Sequence, residues 1–315
     1  MPKLEIQPFS DDDIDAAAGL LAQRHRAHRD AEPLLPDVGD FRPQVEEAWG
    51  AGAASGWIAS RDGRPVGYMI GAPRDNEVWG LNVWIELGGH AVVEAEIARD
   101  LYTIAAEHWV AGGHTSHYVL VPAADEKLVD AWFRLGFGAQ HAMGVRGVPD
   151  NPPSSPDPFT VRDGLPGDVA AGLGRALNDH QLLAPIFSQA AVFSDEETEA
   201  EWRKELDDKR AGNLVAELDG RPVSLVQLAP VEYSGTHVGL ARPRAACILG
   251  YAATLPEARG TGAGLALTNA AYDWARDHGY ETIVVDWRET NLLSSRFWPA
   301  RGFRRTFQRL YRSIL

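Results

Sequence analysis

The sequence predicts an α/β protein, with helices laid over mixed sheets, built as two copies of one domain. Three observations carry this. At 315 residues the chain is about twice the usual domain size. A proline-rich break, "GVPDNPPSSPDPF" at 147–159, holds five prolines without apolar periodicity and reads as a stiff exposed linker. The segments on either side of it repeat the same signals in the same order. The expected division is 1–146, a linker at 147–159, and 160–315.

Each half opens with a short strand pattern, an acidic turn and a helical run: "LEIQPFSDDDIDAAAGLLAQRH" and "FTVRDGLPGDVAAGLGRALNDH". Each continues into a hairpin, "WIASRDGRPVGYMI" and "LVAELDGRPVSLVQL", where Asp62-Gly63 and Asp219-Gly220 separate alternating apolar runs and call for a turn with positive φ. Each closes on an aromatic residue followed by Gly-Phe, in "AWFRLGF" and "RFWPARGF". The two hairpin aspartates lie 157 positions apart and Gly136 and Gly302 lie 166 apart, the drift expected of a duplication with an insertion. The order per half is strand, helix region, hairpin, strand, helix, strand, helix, strand, which makes a central sheet covered by helices.

Composition narrows the function. Net charge is −14, from 44 acidic and 30 basic residues, which disfavours non-specific nucleic-acid binding and suits a cationic or amine substrate. No apolar run approaches the length of a membrane span, and the N-terminus has neither the basic start nor the apolar stretch of a secretory signal. Cys247 stands alone, so neither an intrachain disulfide nor a cysteine-cluster zinc site is expected. A cytoplasmic protein without metal, nucleic-acid or membrane partners is the expectation; no feature sets its oligomeric state.

The chemistry-bearing stretch is "ARGTGAGLAL" at 258–267. Before it, "CILGYAATLP" (247–256) reads as a strand stopped by Pro256. After it, Leu265, Leu267, Ala271, Tyr272, Trp274 and Ala275 suit a half-buried helix, with Gly279 at its stop. "TIVVDW" (282–287) is the next strand. A strand, glycines and a helix N-terminus together favour an anion: the first-turn N–H groups lack partners, the dipole favours negative charge, and glycine lets a phosphate reach the backbone. GxxxxGK[ST] is absent, and GxGxxG fails because 265 and 267 are leucine.

The spacing that fits is Arg259-x-x-Gly262-x-Gly264, with Pro256 three residues upstream and "DWRETNLLSSRFWPARGF" (286–303) downstream. Here the chain resembles the GCN5-related N-acetyltransferase (GNAT) family, over 160–315 well and over 1–146 as a degenerate copy, in a tandem arrangement similar to the mycothiol synthases. The resemblance implies acetyl-CoA as co-substrate and direct transfer of its acetyl group to a primary amine, expected to be on a small molecule held in a cleft. Gly260, Thr261, Gly262, Ala263, Gly264 and Leu265 would bind the pyrophosphate through backbone N–H groups, with Arg259 leading the loop. Ala252, Ala253 and Thr254 would pair with the pantetheine amides as an added strand does. A backbone N–H near Thr254 would polarise the thioester carbonyl, and Asn291 would contact the cofactor.

An alkylammonium must first lose a proton, which costs about 4.6 kcal/mol at pH 7. Asp286 lies five residues before Asn291, where similar ribosomal-protein N-terminal acetyltransferases carry a glutamate base; it is the candidate base, set against the plainer reading of a strand-end acid paired with a nearby arginine, with Glu289, Glu232 and His237 as reserves. Many relatives place a tyrosine acid where this chain has Trp298, and Trp132 stands in the matching place of the first half. Indole is a poor acid, so Tyr251, Tyr272 and Tyr311 are the substitutes to weigh. Two rival readings are an acyl-CoA-binding regulatory or scaffold protein without turnover, and a transferase using a longer acyl-CoA.

Alignment of the halves on Gly113 and Gly279 sets "VEAEIA" (93–98) opposite "RGTGAG". Val93, Glu96 and Ala98 then replace Arg259, Gly262 and Gly264, and the first half is expected not to bind acetyl-CoA in the family's manner, with "LGGH" (87–90) leaving glycine for a rearranged site. The pairs His25/His28 and His114/His117 lack an acidic partner at metal-site spacing and read as loop or solvated histidines. Trp79, Trp84, Trp109, Trp132, Trp287 and Trp298 read as core. The charged run 194–210 reads as a solvated helix face.

Overall fold

A computed structural model describes residues 3–74, 80–151, 158–188 and 194–314; Trp79 and the centre of the proline-rich linker lie outside them. In chain order the elements are β1 (Leu4–Pro8), α1 (Ile14–Ala31), α2 (Arg42–Trp49), β2 (Ser55–Arg61), β3 (Arg64–Pro73), β4 (Asn82–Ile85), β5 (His90–Val92), α3 (Ala95–Ala111), β6 (Ser116–Pro122), α4 (Glu126–Arg134) and β7 (Gly138–Gly147). The second half follows with β8 (Thr160–Asp163), α5 (Ala176–Gln181), α6 (Asp195–Asp207), β9 (Gly212–Leu218), β10 (Arg221–Pro230), β11 (Ala246–Thr254), α7 (Ala263–Asp277), β12 (Thr282–Arg288), α8 (Ser294–Ala300) and β13 (Arg304–Ser313). Both halves show the mixed α/β order expected of them. No helix among the described residues is long and apolar enough to cross a membrane.

The chain folds into two compact units. The first comprises Met1–Met143, Gly239–Arg242 and Arg305–Leu315; the second comprises Gly144–Val238 and Pro243–Arg304. In the first unit β1, β2 and β3 form an antiparallel meander, β3 pairs with both β4 and β5, and β4 runs parallel to β6. The next strand in that sheet is β13, from the end of the chain, antiparallel to β6 with Tyr311 opposite Tyr118. Two apolar clusters cover its faces: α1 and α2 bury Leu21, Val45 and Tyr68, while α3 and α4 bury Leu101, Leu128 and Trp132. In the second unit β8, β9, β10 and β11 are antiparallel neighbours and β12 joins β11 in parallel. A core of Val169, Leu173, Trp202, Val215 and Leu225 lies on one side of that sheet.

The hairpin turns take the backbone their sequence requires. Asp62 and Asp219 have φ of 50° and 51°, and the glycines after them 73° in both cases. The opening helix of the second half differs from expectation. Gly167 and Gly172 adopt φ of 90° and 93°, so the run breaks into a 3-10 turn and the six-residue α5, whereas the first half keeps an 18-residue α1. The charged run 194–210 forms α6, started by a reciprocal Ser194–Glu197 capping box and burying only Trp202. Trp109, Trp132, Trp287 and Trp298 are core residues as expected. Trp84 is half-buried, stacked on Tyr118 at 4.6 Å under the guanidinium of Arg74.

Candidate functional site

The second unit builds its site where two parallel strands separate. Among the described residues β11 and β12 pair over three residues, Ala246–Ile248 against Thr282–Val284. Beyond them β11 stays with β10, and Gly250 is the extra residue of a bulge between the Gln227–Tyr251 and Leu228–Leu249 pairs. A bulge bends and twists its strand, here at the point of separation. Leu255 N–H donates to Val223 O of the β10 segment at 2.9 Å. Backbone groups alternate along a strand, so the N–H groups of Ala252 and Thr254 face the opposite edge, toward the gap. Ala252 and Thr254 are half-buried and Ala253 is buried.

The glycine turn closes this edge. Gly260 and Gly262 take φ of 77° and 110°, and Gly262 is the N-cap of α7. Any side chain at those two positions would be strained. Arg259 Nε donates to Thr254 O at 3.3 Å and Thr261 Oγ1 to Ala258 O at 2.6 Å, tying the turn to the strand end. The first helical bond runs from Ala266 N–H to Gly262 O at 3.0 Å, so the N–H groups of Ala263, Gly264 and Leu265 precede the ladder. Gly260 and Thr261 are exposed, Ala263 is buried, and Gly264 and Leu265 are half-buried. A Cβ on Gly264 would meet the Phe297 ring at 3.4 Å.

Asp286 is half-buried on β12, past the last paired residue. It shares a strand face with Arg288, whose Nε donates to Gln181 Oε1 of α5 at 3.4 Å. Asn291 is buried, and its Oδ1 accepts the N–H groups of Leu293 (3.1 Å) and Ser294 (3.4 Å) at the start of α8. A third contact to the same oxygen, from His180 Nε2 at 3.2 Å, was invisible in the sequence because the two residues are 111 positions apart. Of the reserves, Glu289 is half-buried, Glu232 exposed, and His237 buried in its loop with its backbone N–H on Ser234 Oγ.

The proposed replacement acids are otherwise engaged. Tyr251 donates to Leu173 O at 2.6 Å, and burial pushes its hydroxyl up to about 12. Tyr272 lies under the Arg146 guanidinium, which donates to its hydroxyl at 2.7 Å, and burial raises its pKa. Tyr311 belongs to the first unit, its ring tilted against that of Tyr118 with centroids 4.8 Å apart. Trp298 packs between Phe297 and Phe303.

The first unit handles the same region differently. There β4 and β6 pair over Asn82–Ile85, after which the chain turns through Gly88 and Gly89 and pairs as β5 with β3. Side chains bridge the opening: the buried Arg24 donates to Leu87 O and His90 O, and His90 Nε2 donates to Leu120 O of β6 at 2.8 Å. Burial brings the Arg24 guanidinium down to about 10. Burial and, second, Arg24 take His90 down to about 3, so the ring is neutral. The helix that follows, α3, has Glu94 at its N-cap with φ of −138°, so Glu94 rather than Glu96 stands at the capping position that Gly262 holds in α7. The shift of two from the expected alignment arises because α3 is two residues longer than α7. Glu94 pairs with Arg61, and Glu96, in the first turn, pairs with Arg99 and Arg134. Both carboxylates therefore occupy the end where an anion would have to sit.

The histidine pairs are structural. His25 Nε2 bonds Pro36 O at 2.9 Å, His28 packs edge-on against Phe307 at 4.7 Å, and His117 sits between Tyr102 Oη and His114 O. Among the described residues no group of three or more His, Cys, Asp or Glu side chains could hold a metal ion.

Comparison with known proteins gives the family of this region. The family model described as "Acetyltransferase (GNAT) family" matches residues 180–303. No curated protein sequence matches the chain. Among solved structures, a GCN5-related N-acetyltransferase from Sphaerobacter thermophilus aligns over 98% of this chain and 95% of its own, at 14% identity and a TM-score of 0.57. A GCN5-related glucosamine N-acetyltransferase region of a fungal multi-domain β-N-acetylglucosaminidase aligns over 99% of this chain and 38% of its own, at 15% identity and 0.53. A tandem GNAT protein from the clavulanic acid biosynthesis pathway aligns over 99% and 98%, at 15% identity and 0.48. At these identities the first two alignments show a shared fold and nothing finer. With the family match spanning the glycine turn, the separating strands and the Asn291 segment, the C-terminal half of this chain carries a GNAT-family acyltransferase domain.

Proposed function

We propose that the second unit transfers an acetyl group from acetyl-CoA to a primary amine of a small molecule. The observation that carries this is the unpaired edge of β11 ending in a glycine turn with two positive-φ residues before α7. Ala252–Thr254 would take the pantetheine as a short added strand. The loop from Arg259 to Leu265 would take the pyrophosphate on N–H groups at the positive end of a 15-residue helix. An N–H of Thr254 would lie on the thioester oxygen and stabilise the charge that develops there, and Asn291 would stand beside the cofactor. Asp286, half-buried on β12, would draw a cationic amine toward the carbonyl. With Tyr251, Tyr272 and Trp298 held in other contacts, the thiolate would leave without a dedicated tyrosine acid, which a thiol pKa near 8.5 permits. The N-terminal half, residues 1–146, would be a degenerate copy that holds no acetyl-CoA.

The test is incubation of the full chain with acetyl-CoA and a panel of primary amines, read by coenzyme A thiol release and the mass of the acetylated amine. Acetylated product that is lost in Asp286→Asn while acetyl-CoA affinity stays within about twofold supports the reading. Coenzyme binding without turnover across the panel would favour a silent binding protein, and selective binding of bulkier thioesters a longer acyl donor.

A further inference from the structure

The segment containing α5 lies across the gap between the separating strands. At its start Leu173 O accepts from Tyr251 on β11, and at its end Gln181 Oε1 accepts from Arg288 on β12. Both anchors lie beyond the last paired residues, Ile248 and Val284. His180 is one residue from the β12 anchor.

The donor chain around His180 sets its tautomer. Asn291 Oδ1 receives two backbone N–H groups, from Leu293 and Ser294, so that atom is the amide oxygen and not its nitrogen. His180 Nε2 lies 3.2 Å from it and must therefore carry the hydrogen. Nδ1 is left as the lone-pair nitrogen. It is buried, with no hydrogen-bond partner among the described residues. A buried acceptor without a donor is costly, and such an atom asks for a ligand that brings one.

We propose that His180 Nδ1 is the group that takes the proton from the acceptor ammonium, directly or across one water, while Asp286 on β12 draws the cation. This rests on the acetyl transfer proposed above and assigns its proton acceptor. The ammonium N–H bond breaks and its proton forms the Nδ1–H of an imidazolium, whose Nε2–H stays on Asn291. The freed amine attacks the thioester carbon, the C–N bond forms, the C–S bond breaks, and the electron pair leaves on sulfur. The second amine proton goes to the thiolate, and the imidazolium returns its proton to solvent. Sequence position alone points to Asp286; the Asn291 contact singles out His180.

The experiment begins with the free, full-length protein, ¹⁵N-labelled at histidine, with His180 assigned by difference from His180→Gln. In the neutral tautomer a hydrogen on Nε2 is the result expected; a neutral ring with its hydrogen on Nδ1 cannot accept the proton there and overturns the proposal. This result does not depend on acetyl-CoA binding, so failure of the donor-site reading, seen as absent acetyl-CoA binding, is distinguishable from it. Kinetics give the second arm. Glutamine keeps an N–H for Asn291 but has no basic lone pair. With acetyl-CoA, H180Q should lose about 100-fold or more in transfer to ethylamine and far less to trifluoroethylamine, which is already neutral at pH 7. Equal losses with the two amines would reduce His180 to a positioning residue and overturn the assignment. His180→Ala, which also removes the donor to Asn291, should add a loss common to both amines.

Discussion

In each unit two parallel strands run together for three or four residues and then part, and the two units fill the resulting gap in opposite ways. In the second unit β11 keeps an unpaired edge that ends in Gly260 and Gly262. In the first, Arg24 and His90 bridge the opening, and Glu94 and Glu96 stand at the start of the following helix. Under the function proposed above, the comparison teaches that a duplicated site can be retired from two sides: the backbone acceptors are given to a buried arginine, and the anion end is given to carboxylates. Those polar groups then become part of that unit's stability.

The strongest way to break this contrast is to copy one unit's chemistry into the other. Gly262→Glu puts a carboxylate where a diphosphate would bind. At about 4 Å a like-charge pair costs roughly 4 kcal/mol in an effective dielectric near 20, so acetyl-CoA affinity should fall more than about 100-fold with the circular dichroism spectrum unchanged. Because φ there is 110°, Gly262→Ala is the control: it carries backbone strain of about 1–2 kcal/mol but no charge, and should retain most of the affinity.

Next in size is removal of the bridge. Arg24→Leu leaves the carbonyls of Leu87 and His90 buried without their donor, and urea unfolding should show a loss of about 2–4 kcal/mol. Acetyl-CoA affinity should stay within about twofold; a second bound acetyl-CoA in this variant would mean that the bridge alone excludes it.

Acid sharpens the same point. Burial and then Arg24 hold His90 and His28 at about 3 in the folded protein, below the ordinary 6.5, so between those values the unfolded chain binds more protons. Stability is then complete above about pH 6.5 and falls as pH drops toward 3, by about 1.4 kcal/mol per pH unit for each histidine. His90→Gln should flatten that slope in urea titrations across the pH range. An unchanged slope would contradict a neutral buried His90. The smallest effect is expected from Asn291→Ala, which removes the acceptor of the Leu293 and Ser294 N–H groups at the start of α8 and should cost about 1 kcal/mol.

Much of this was legible in the chain. Asp-Gly between alternating runs required positive φ at 62–63 and 219–220, Pro256 stopped β11, and Arg259-x-x-Gly262-x-Gly264 marked the turn. These are local signals, carried by residues that restrict their own backbone. What stayed hidden depends on partners distant in sequence. Nothing in "RRTFQRLYRS" says that β13 pairs with β6, because alternation sets a strand's faces and not its neighbour. The bulge at Gly250 and the early end of the β11–β12 ladder are matters of register. His180 carries no motif, and its meaning comes from an asparagine held by two backbone N–H groups. The Glu94 position was missed by two residues because the helices differ in length.

The central claim is that one unit holds acetyl-CoA and the other has lost the means to do so. Titration calorimetry of the full chain with acetyl-CoA measures it directly. The account predicts saturation at one molecule per chain, abolished by Gly262→Glu; two molecules per chain, or none, would contradict it.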